Sequence, residues 1–399
     1  MANTILTDDI ITKEALAILH EELSFIGKIN RQYDSSFSGS GAKIGDSLRI
    51  RKPARYTVRD GSALSVQNHT EENITLTVNT QKGVDVEFSS VELTLELEEF
   101  SRTVLRPQMA ILASAIEADA LSMINDVGNS IYTGSDLTFK DVLKAKARLD
   151  QQTTPEGERC MLIDPITEIN IVDEVKGLFQ SSNQINNQYL KGSIGTTAGF
   201  DWYESNRMET VVNGSDVTTI TTVGASTNGD TTIALAGLGL TETYAAGMVF
   251  TVASIKGVHP ETKKVYGYNY QFTLASDMTT DGSGNGTAVI QEAIYGTTAR
   301  QNLSALPANT DAVTFLGAAS QSASQNLSFH KDAFTFATAD LVMPKGVDMA
   351  SRQVFEGISM RMVRAYDIST DTFPCRFDVL YGFKTLRPEY ACRLIEPFA

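Results

Sequence analysis

A short segment, residues 281–292, has the residue types and the spacing of a calcium-binding loop. Asp281, Ser283, Asn285 and Glu292 fit the pattern D-x-S-x-N-G-x5-E, with Gly286 at the turn. Carboxylate and amide oxygens are ligands that Ca²⁺ prefers in such loops. The flanking residues, however, have the pattern of strands instead of helices, and only two of the ligands would be charged. We therefore expect a glycine-rich hairpin turn and no bound metal, with calcium as the weaker alternative.

Motifs of catalysis are absent from the sequence. The four histidines are scattered and form no H-E-x-x-H zinc pattern, and we expect His330 to be a hydrogen-bonded structural residue. The three cysteines, Cys160, Cys375 and Cys392, have no C-x-x-C spacing, which favours free thiols in or near a core. No nucleophile elbow and no phosphate-binding loop occurs. The sequence therefore predicts a protein that is not an enzyme and needs no cofactor.

Charge is segregated in the first quarter of the chain. The basic residues follow one predicted strand, and they are Arg49, Arg51, Lys52, Arg55 and Arg59. The acidic residues precede a predicted helix, and they are Asp85, Glu87, Glu92, Glu96, Glu98 and Glu99. Two solvated faces of opposite sign would explain this pattern without a partner. The alternative is that the two sets meet across an interface between copies of the chain.

The whole sequence has the composition of a globular protein. Its 399 residues are enough for two or three domains, and 42% are hydrophobic and 20% charged. It contains no run of about 18 apolar residues, which a membrane helix requires, and its acidic N-terminus does not resemble a secretory signal. We therefore expect folding in the cytoplasm. The formal net charge of −15 argues against a dedicated nucleic-acid binder, because phosphate backbones repel an acidic protein.

The N-terminal part predicts a helix followed by a long pair of strands. Residues 7–27 place apolar side chains on one helical stripe, which is typical of an amphipathic arm. A serine- and glycine-rich stretch, residues 35–41, then breaks the pattern as a linker does. The runs 48–58 and 73–88 have a strand pattern, with alternation of apolar and polar residues in the second, and together they predict a long projecting hairpin.

The next part of the chain has an α+β pattern. Pro107 cannot donate a backbone hydrogen bond, so it must begin or kink a helix. We expect a short helix before Pro107 and a long helix over residues 108–125, which carry a broad apolar face. A second helix over residues 138–151 and a strand over residues 159–164 follow.

A separate β module is predicted between residues 212 and 324. There the composition shifts to Gly, Thr, Ser, Ala and Val, and short strand-like runs alternate with turn signals. Such spacing predicts a small β-barrel or sandwich. Strong strands return over residues 358–366 and 376–383. We therefore interpret the β module as an insertion in a host domain, and expect it to fold autonomously.

Several of these segments resemble the major capsid proteins of tailed bacteriophages. The run VDVEFSSVELTLELEEFSRTVLRPQMAILASAIEADAL, residues 84–121, is similar to their strand and spine helix. The runs NLSFHKDAFTFATADLVMP at 326–344 and RFDVLYGFKTLRPEYACR at 376–393 look like the closing segments of the phage P22 coat protein family. The residues GFD at 199–201 and ES at 204–205 match the pattern before that family's inserted domain.

The resemblance implies an α+β structure, the Hong Kong 97-type capsid fold, with an inserted small β-barrel or sandwich domain. The implied segments are an N-terminal arm at 1–45, an extended loop at 46–85, a peripheral domain with the spine helix at 86–165, an axial domain with closing strands at 166–211 and 325–399, and the insertion at 212–324.

The resemblance also implies a function. A protein of this kind is a major capsid protein that self-assembles, as hexamers and pentamers, into the icosahedral head of the virion. Its expected partners are itself, a scaffolding protein and a portal during assembly in the host bacterial cytoplasm, and packaged double-stranded DNA without sequence recognition. No membrane is involved. The alternative is a phage tail or surface protein whose β module binds a receptor.

Two interaction surfaces follow from the resemblance and the charge pattern. The basic loop of one subunit would lie across the acidic run of its neighbour, where each exposed ion pair contributes about 0–1 kcal/mol. The acidic N-terminal helix would contact a basic scaffolding segment by family analogy, or pack on its own subunit. The candidate scaffold contacts are Asp8, Asp9, Glu14, Glu21 and Glu22.

Overall fold

The computed structural model describes residues 8–33, 47–59, 61–64, 66–67, 72–89, 105–175, 195–212, 219–317, 320–370 and 372–397. The chain divides into two compact units, each built from separated pieces of sequence. Unit 1 comprises residues 1–50, 73–121 and 334–386, and unit 2 comprises residues 51–72, 122–333 and 387–399. Both units contain helices and strands, which confirms the α+β class.

The four helices in the described ranges are α1 Asp8–Glu22, α2 Arg106–Leu121, α3 Phe139–Gln151 and α4 Pro165–Val175. Thr138 caps α3 in a capping box with Asp141, so this helix begins where the sequence predicts it. Pro107 lies in the first turn of α2, where a missing N–H costs nothing. The predicted helix over 108–125 ends earlier, and Ser122–Asp126 form a 3-10 turn. None of these helices is long and apolar enough to cross a membrane.

The strands in the described ranges begin with β1 Asn30–Tyr33, β2 Ser47–Lys52, β3 Glu72–Thr77, β4 Thr80–Ser89, β5 Ser130–Tyr132, β6 Arg159–Ile163, β7 Thr196–Thr197, β8 Phe200–Glu204, β9 Thr210–Val212, β10 Ile220–Val223, β11 Thr232–Ala236 and β12 Thr243–Tyr244. They continue with β13 Val249–Val258, β14 Val265–Thr273, β15 Met278–Thr279, β16 Gly286–Val289, β17 Ala312–Phe315, β18 Ser322–His330, β19 Phe334–Ala339, β20 Met349–Phe355, β21 Ile358–Arg364, β22 Thr372–Thr385 and β23 Ala391–Pro397.

Unit 1 is built on a sheet with the order β1-β19-β22-β21-β20, in which β4 also pairs with β22. The chain after α1 is tied to α2 by a buried carboxylate. Glu117 Oε1 accepts hydrogen bonds from Phe25 N at 2.5 Å and from Ser24 Oγ at 2.6 Å. The Phe25 ring in turn contacts Phe334 of β19, with 5.7 Å between the ring centroids. The two hydrogen bonds of Glu117 connect the end of α1 to α2, and the ring contact of Phe25 connects it to the sheet of unit 1.

The position of β4 corrects the expected hairpin. The predicted strand over 73–88 is two strands, β3 and β4, interrupted at residues 78–79. β2 pairs with β3 in a two-stranded sheet, whereas all ten residues of β4 pair with β22. A Cβ at Gly382 of β22 would lie 2.0 Å from the Thr77 carbonyl oxygen, so this close approach requires glycine. The hairpin is shorter than predicted, and the last residues of segment 46–85 belong to the main sheet of unit 1.

Unit 2 contains a sheet with the order β5-β23-β18-β6-β8-β7, in which β9 also pairs with β18. Helices α3 and α4 contribute to its core, through Val142, Leu149 and Ile171, together with Met161 and Ile163 of β6. The thiols of the chain, Cys160, Cys375 and Cys392, are all buried and free, as expected.

Residues 220–315 form their own sheet within unit 2. Its order is β14-β13-β17-β10-β11-β16, and β12 pairs with β15 beside it. The core of this module is formed by its own side chains, with Phe250 and Phe272 stacked at 5.2 Å between centroids. The β character expected between residues 212 and 324 is confirmed. Autonomous folding of the insertion stays a prediction.

Polar contacts join this β module to the rest of unit 2. The side chain of Gln271 on β14 accepts a hydrogen bond from Ser130 N at 2.8 Å and donates one to Ser130 O at 2.7 Å. The Arg148 guanidinium on α3 lies 3.2 Å from the centre of the Tyr268 ring. The module is therefore attached through the hydrogen bonds of Gln271 and the cation–π contact of Tyr268, two residues of β14.

Candidate assembly surface of the extended loop

The strand β2 carries basic residues on one face and apolar residues on the other. Leu48 and Ile50 pack against an apolar cluster that includes Leu76. Arg49 and Arg51 alternate with them and are exposed. Alternation follows from strand geometry, because successive side chains point to opposite faces. The apolar face anchors the strand, and the arginines are displayed to solvent.

The base of the loop faces a pair of carboxylates in its own unit. The Arg55 guanidinium lies 3.9 Å from Glu389 Oε1. Burial and the neighbouring Glu292 raise the pKa of Glu389, while the cations Lys52 and Arg55 oppose this effect. Glu292 Oε2 also accepts a hydrogen bond from the Tyr270 hydroxyl at 3.0 Å. Arg55 thus has an acidic partner within the chain, which the sequence did not predict.

The segment 56–67, which we call the loop tip, is closed by side chains. Gln67 Oε1 accepts a hydrogen bond from Thr57 N at 2.8 Å, and Gln67 Nε2 donates one to Thr57 O at 2.5 Å. Inside the tip, Arg59 Nη1 donates to Gly61 O at 2.6 Å and to Ala63 O at 2.7 Å. Gly61 has a φ of +84°, which glycine adopts without steric cost. Arg59 therefore stabilises the conformation of the loop tip through two hydrogen bonds to its backbone.

Large apolar side chains project from the loop tip. The exposed fractions are 94% for Val58, 85% for Leu64 and 80% for Val66, and Tyr56 beside them is also exposed. Single exposed apolar residues are common on protein surfaces, but a group of them is typical of an interaction site. The charge pattern predicted a role only for the basic residues of this loop, and not for its apolar residues, although these are visible in the run TVRDGSALSV.

Four of the six acidic residues that were predicted to meet the basic loop lie outside the described residues: Glu92, Glu96, Glu98 and Glu99. Asp85 and Glu87 are exposed on β4. Asp85 pairs with Arg376 on the adjacent strand at 2.7 Å, and this hydrogen bond lowers the pKa of Asp85. The structure thus brings Asp85 to a basic residue of its own sheet.

The expected scaffold contacts lie on α1. The backbones of Asp8, Asp9, Glu21 and Glu22 belong to this helix, but their side chains lie outside the described set. Glu14 is partly buried. The opposite face of α1 is buried through Ala15, Leu16 and Leu19, so the helix is amphipathic as predicted.

The calcium-like segment is arranged as a turn. Asp281 Oδ1 accepts hydrogen bonds from Ser283 N at 2.8 Å and from Asn285 N at 2.9 Å, which caps the turn before β16. Glu292 bonds to Tyr270. Within the described ranges, no group of three or more acidic, histidine or cysteine side chains is arranged to hold a metal ion. His330 is buried, and its Nδ1 accepts a hydrogen bond from Asp332 N at 3.2 Å.

A second carboxylate pair was not predicted. Glu168 lies in the first turn of α4, and Glu204 ends β8. The parallel strands β6 and β8 pair with Ile163 opposite Glu204, so the start of α4 and the end of β8 meet at one edge of the sheet. Burial and the Glu204 carboxylate raise the pKa of Glu168 to about 7. A sequence separation of this size gives no signal unless the strand pairing is known.

Comparison with known proteins gives one assignment. The family model described as P22 coat protein, gene protein 5, matches residues 19–394. A search of the curated proteins found no match to the chain.

The solved structures that match this chain have a low sequence identity to it. A chain of Mycobacterium phage Che8 is 13% identical, with a TM-score of 0.47 over 93% of this chain and 90% of its own length. A chain from the capsid of the cyanophage P-SCSP1u is 12% identical, with a TM-score of 0.46 over 94% and 89%. A chain from the mature capsid of bacteriophage PhiM1 is 10% identical, with a TM-score of 0.45 over 93% and 86%. At these values the family match alone carries the assignment.

Proposed function

The chain belongs to the P22 coat protein family and is a major capsid protein of a bacteriophage, and from this premise we propose how it builds its shell. Membership of the family implies self-assembly into an icosahedral shell, and places the protein in the virion. The match over residues 19–394 is the observation that carries this conclusion. It leaves the alternative of a tail or receptor-binding protein without support.

The finer features of assembly are proposals. The subunits form hexamers and pentamers in the host bacterial cytoplasm, with a scaffolding protein and a portal as partners. The shell then encloses double-stranded DNA without reading its sequence, and the net charge of −15 supports a wall that does not bind the phosphate backbone tightly. The protein acts through binding surfaces, without catalysis or a cofactor. The acidic residues of α1 are the candidate contacts for a basic scaffolding segment.

Electron microscopy of the expressed full-length protein tests the assembly function. Closed shells, or partial shells with hexameric and pentameric units, are the expected particles. Co-expression with a scaffolding protein from the same phage should raise the fraction of closed shells. A protein that stays monomeric or forms small oligomers under all these conditions would contradict the proposal.

We further propose that the exposed arginines of β2 meet the acidic run of a neighbouring subunit. The test reverses Arg49 and Arg51 to glutamate, and leaves Arg55 unchanged because of its contact with Glu389. The matching variant reverses Glu96 and Glu99 to arginine. Each exposed pair contributes about 0–1 kcal/mol to folding, so the melting temperature of the subunit should stay close to that of the wild type.

Assembly of these variants should be impaired, because like charges brought together at every equivalent contact cost several kcal/mol. Particle yield should fall for each double variant, and partly recover when all four reversals are combined in one chain. If the variant with Arg49→Glu and Arg51→Glu assembles normally at low salt, where screening is weakest, these charges are only solvated surface.

A further inference from the structure

A cleft of unit 2 lies where three elements meet. It is formed by α3, by β5 at the edge of the sheet and by β14 of the β module, and its volume is about 380 Å³. Pockets that hold small molecules have volumes of about 300–1,000 Å³. The side chains on its walls that carry the following argument are Tyr132, Lys144, Arg148, Gln151 and Tyr268. The cleft is therefore large enough for a small organic molecule.

The helix α3 presents polar side chains to this cleft. Its core side packs in unit 2 through Val142 and Leu149. Lys144, Arg148 and Gln151 occupy positions i, i+4 and i+7, so they form one stripe on another side of the same helix. Two cations and one amide group therefore line the cleft from a single rigid element.

The guanidinium of Arg148 is held in place but lacks a counter-charge. It lies over the Tyr268 ring, with its Cζ atom 3.2 Å from the ring centre. Among the described residues, Arg148 forms no ion pair and its buried Nη1 atom has no hydrogen-bond partner. The nearby Cys392 thiol is neutral, because burial raises its pKa to about 12. A partly buried cation without a partner is unfavourable, so an anion in the cleft would stabilise it.

Lys144 supplies the second positive charge of the cleft. Its Nζ atom lies 2.7 Å from Asp141 Oδ1, and 54% of its side chain is exposed. An ammonium group has three donors, so Lys144 can bind Asp141 and an anion at the same time. The Gln151 side chain adds a neutral amide donor. These groups could together bind an anion that has several acceptor atoms.

The charge and the size of the cleft favour a phosphate monoester over a carboxylate. A phosphate monoester carries a charge of about −1.5 to −2 at pH 7 and three acceptor oxygen atoms, so it can engage both cations at once. The fork of an arginine binds phosphate through two parallel hydrogen bonds, and a lysine binds it as a point charge. The remaining volume, beside the rings of Tyr132 and Tyr268, can hold an apolar organic group.

We propose that the cleft between α3, β5 and β14 binds a small phosphate monoester, with Arg148 and Lys144 on the phosphate and Tyr132 and Tyr268 beside the organic group. Because Tyr268 belongs to the β module and Arg148 to α3, the bound molecule contacts both and stabilises unit 2. This inference goes beyond the proposed function and does not depend on assembly, since the site is formed within one subunit.

Isothermal titration calorimetry of the unassembled full-length subunit with phenyl phosphate tests the site. The dissociation constant at low salt should be below about 1 mM. Benzoate has the same ring and a single negative charge, and should bind at least about tenfold more weakly. Inorganic phosphate should also bind more weakly than phenyl phosphate, because it fills only the charged end of the cleft. Phenyl phosphate should raise the melting temperature of the subunit as its concentration increases.

Substitutions in α3 locate the binding site. Arg148→Lys keeps the charge and loses the fork, and should weaken binding of phenyl phosphate by about tenfold. Lys144→Gln should weaken it severalfold. Lys140→Gln is the matched control, because Lys140 is an exposed lysine of the same helix outside the cleft, and its affinity should equal that of the wild type.

A further variant narrows the cleft without removing a charge. Ala147 is an exposed residue on the wall of the cleft, and leucine is a strong helix former, so Ala147→Leu should fold. It should weaken the binding of phenyl phosphate more than that of inorganic phosphate. An equal effect on both would contradict a place for the organic group in this cleft.

Several results would overturn the site. One is the absence of binding at a phenyl phosphate concentration of about 10 mM, which is far above the expected dissociation constant. Others are equal affinities for phenyl phosphate and benzoate, or equal losses in Lys144→Gln and Lys140→Gln. Tighter binding of a short single-stranded DNA, with the same dependence on Arg148, would replace the small molecule by a nucleic acid. All of these measurements use the unassembled subunit, so their failure is distinct from a failure to form shells.

Discussion

Replacing Glu168 with glutamine should make unit 2 less sensitive to pH. Glu168 and Glu204 lie together at the sheet edge where α4 begins, and the pKa of Glu168 is raised to about 7 by burial and by the Glu204 carboxylate. A carboxyl with a raised pKa binds its proton more tightly in the folded state than in the unfolded chain. The free energy of unfolding therefore falls as pH rises from about 4.5 to about 7, and the loss persists above that pH.

The size of the effect follows from the shift. A rise from 4.5 to about 7 corresponds to about 3 kcal/mol for a group that is fully shielded from solvent. Glu168 is only partly buried and Glu204 is exposed, so screening reduces the expected effect to about 1–2 kcal/mol. Glutamine at position 168 keeps the shape and removes the charge. The variant should match the wild type near pH 4.5 and be more stable by that amount at pH 8.

Denaturant unfolding of the unassembled subunit at pH 5, 6, 7 and 8 measures this difference. Glu204→Gln should reduce the pH dependence without removing it, because burial, the larger cause of the raised pKa of Glu168, remains. Glu156→Gln, at an exposed glutamate of the same unit, is the control and should leave the pH dependence unchanged. A stability difference between Glu168→Gln and the wild type that is the same at all four pH values would refute the reasoning.

Three further predictions concern packing. Glu117→Ala should destabilise unit 1 by about 2–4 kcal/mol, because it leaves the buried N–H of Phe25 without this acceptor, whereas Glu117→Gln should cost less; unfolding curves of both variants test this. Residues 212–324, expressed alone, should show a β-type circular dichroism spectrum and a cooperative melt, and a disordered spectrum would contradict autonomous folding. Burial raises the pKa of Cys375 and Cys392 to about 12, so both thiols should react with a thiol reagent at pH 8 only after unfolding, and rapid reaction in the native subunit would contradict their burial.

Local signals predicted the elements that depend on local chemistry. The helix α3 was predicted to within one residue of its start, and the structure shows the local cause of that start, a capping box of Thr138 and Asp141. Pro107 marked the start of α2 for the same kind of reason. The helix α4 was missed, although Pro165 stands in its first turn.

Local sequence patterns did not predict which strands and side chains that are distant in sequence come together. Nothing in the alternating pattern of residues 73–88 indicates that β3 pairs with β2 while β4 pairs with β22. Alternation shows which side chains face the core, and does not show which strand lies alongside. The partner of Arg55 is equally non-local. Glu389 is more than three hundred residues away in sequence, so the ion pair exists only because the closing segment returns to the base of the loop.

The sequence by itself determined the α+β class, the β module, the buried free cysteines and, through its family resemblance, the coat-protein function. These depend on composition, periodicity and motifs, which each segment carries in its own residues. Tertiary structure decided which groups meet: Glu168 with Glu204, Arg55 with Glu389, and Gln67 with the backbone of Thr57. The physical reason is that an ion pair, a hydrogen bond or the repulsion of two carboxylates requires two groups within a few ångströms. Strand pairing and the return of distant segments set that distance.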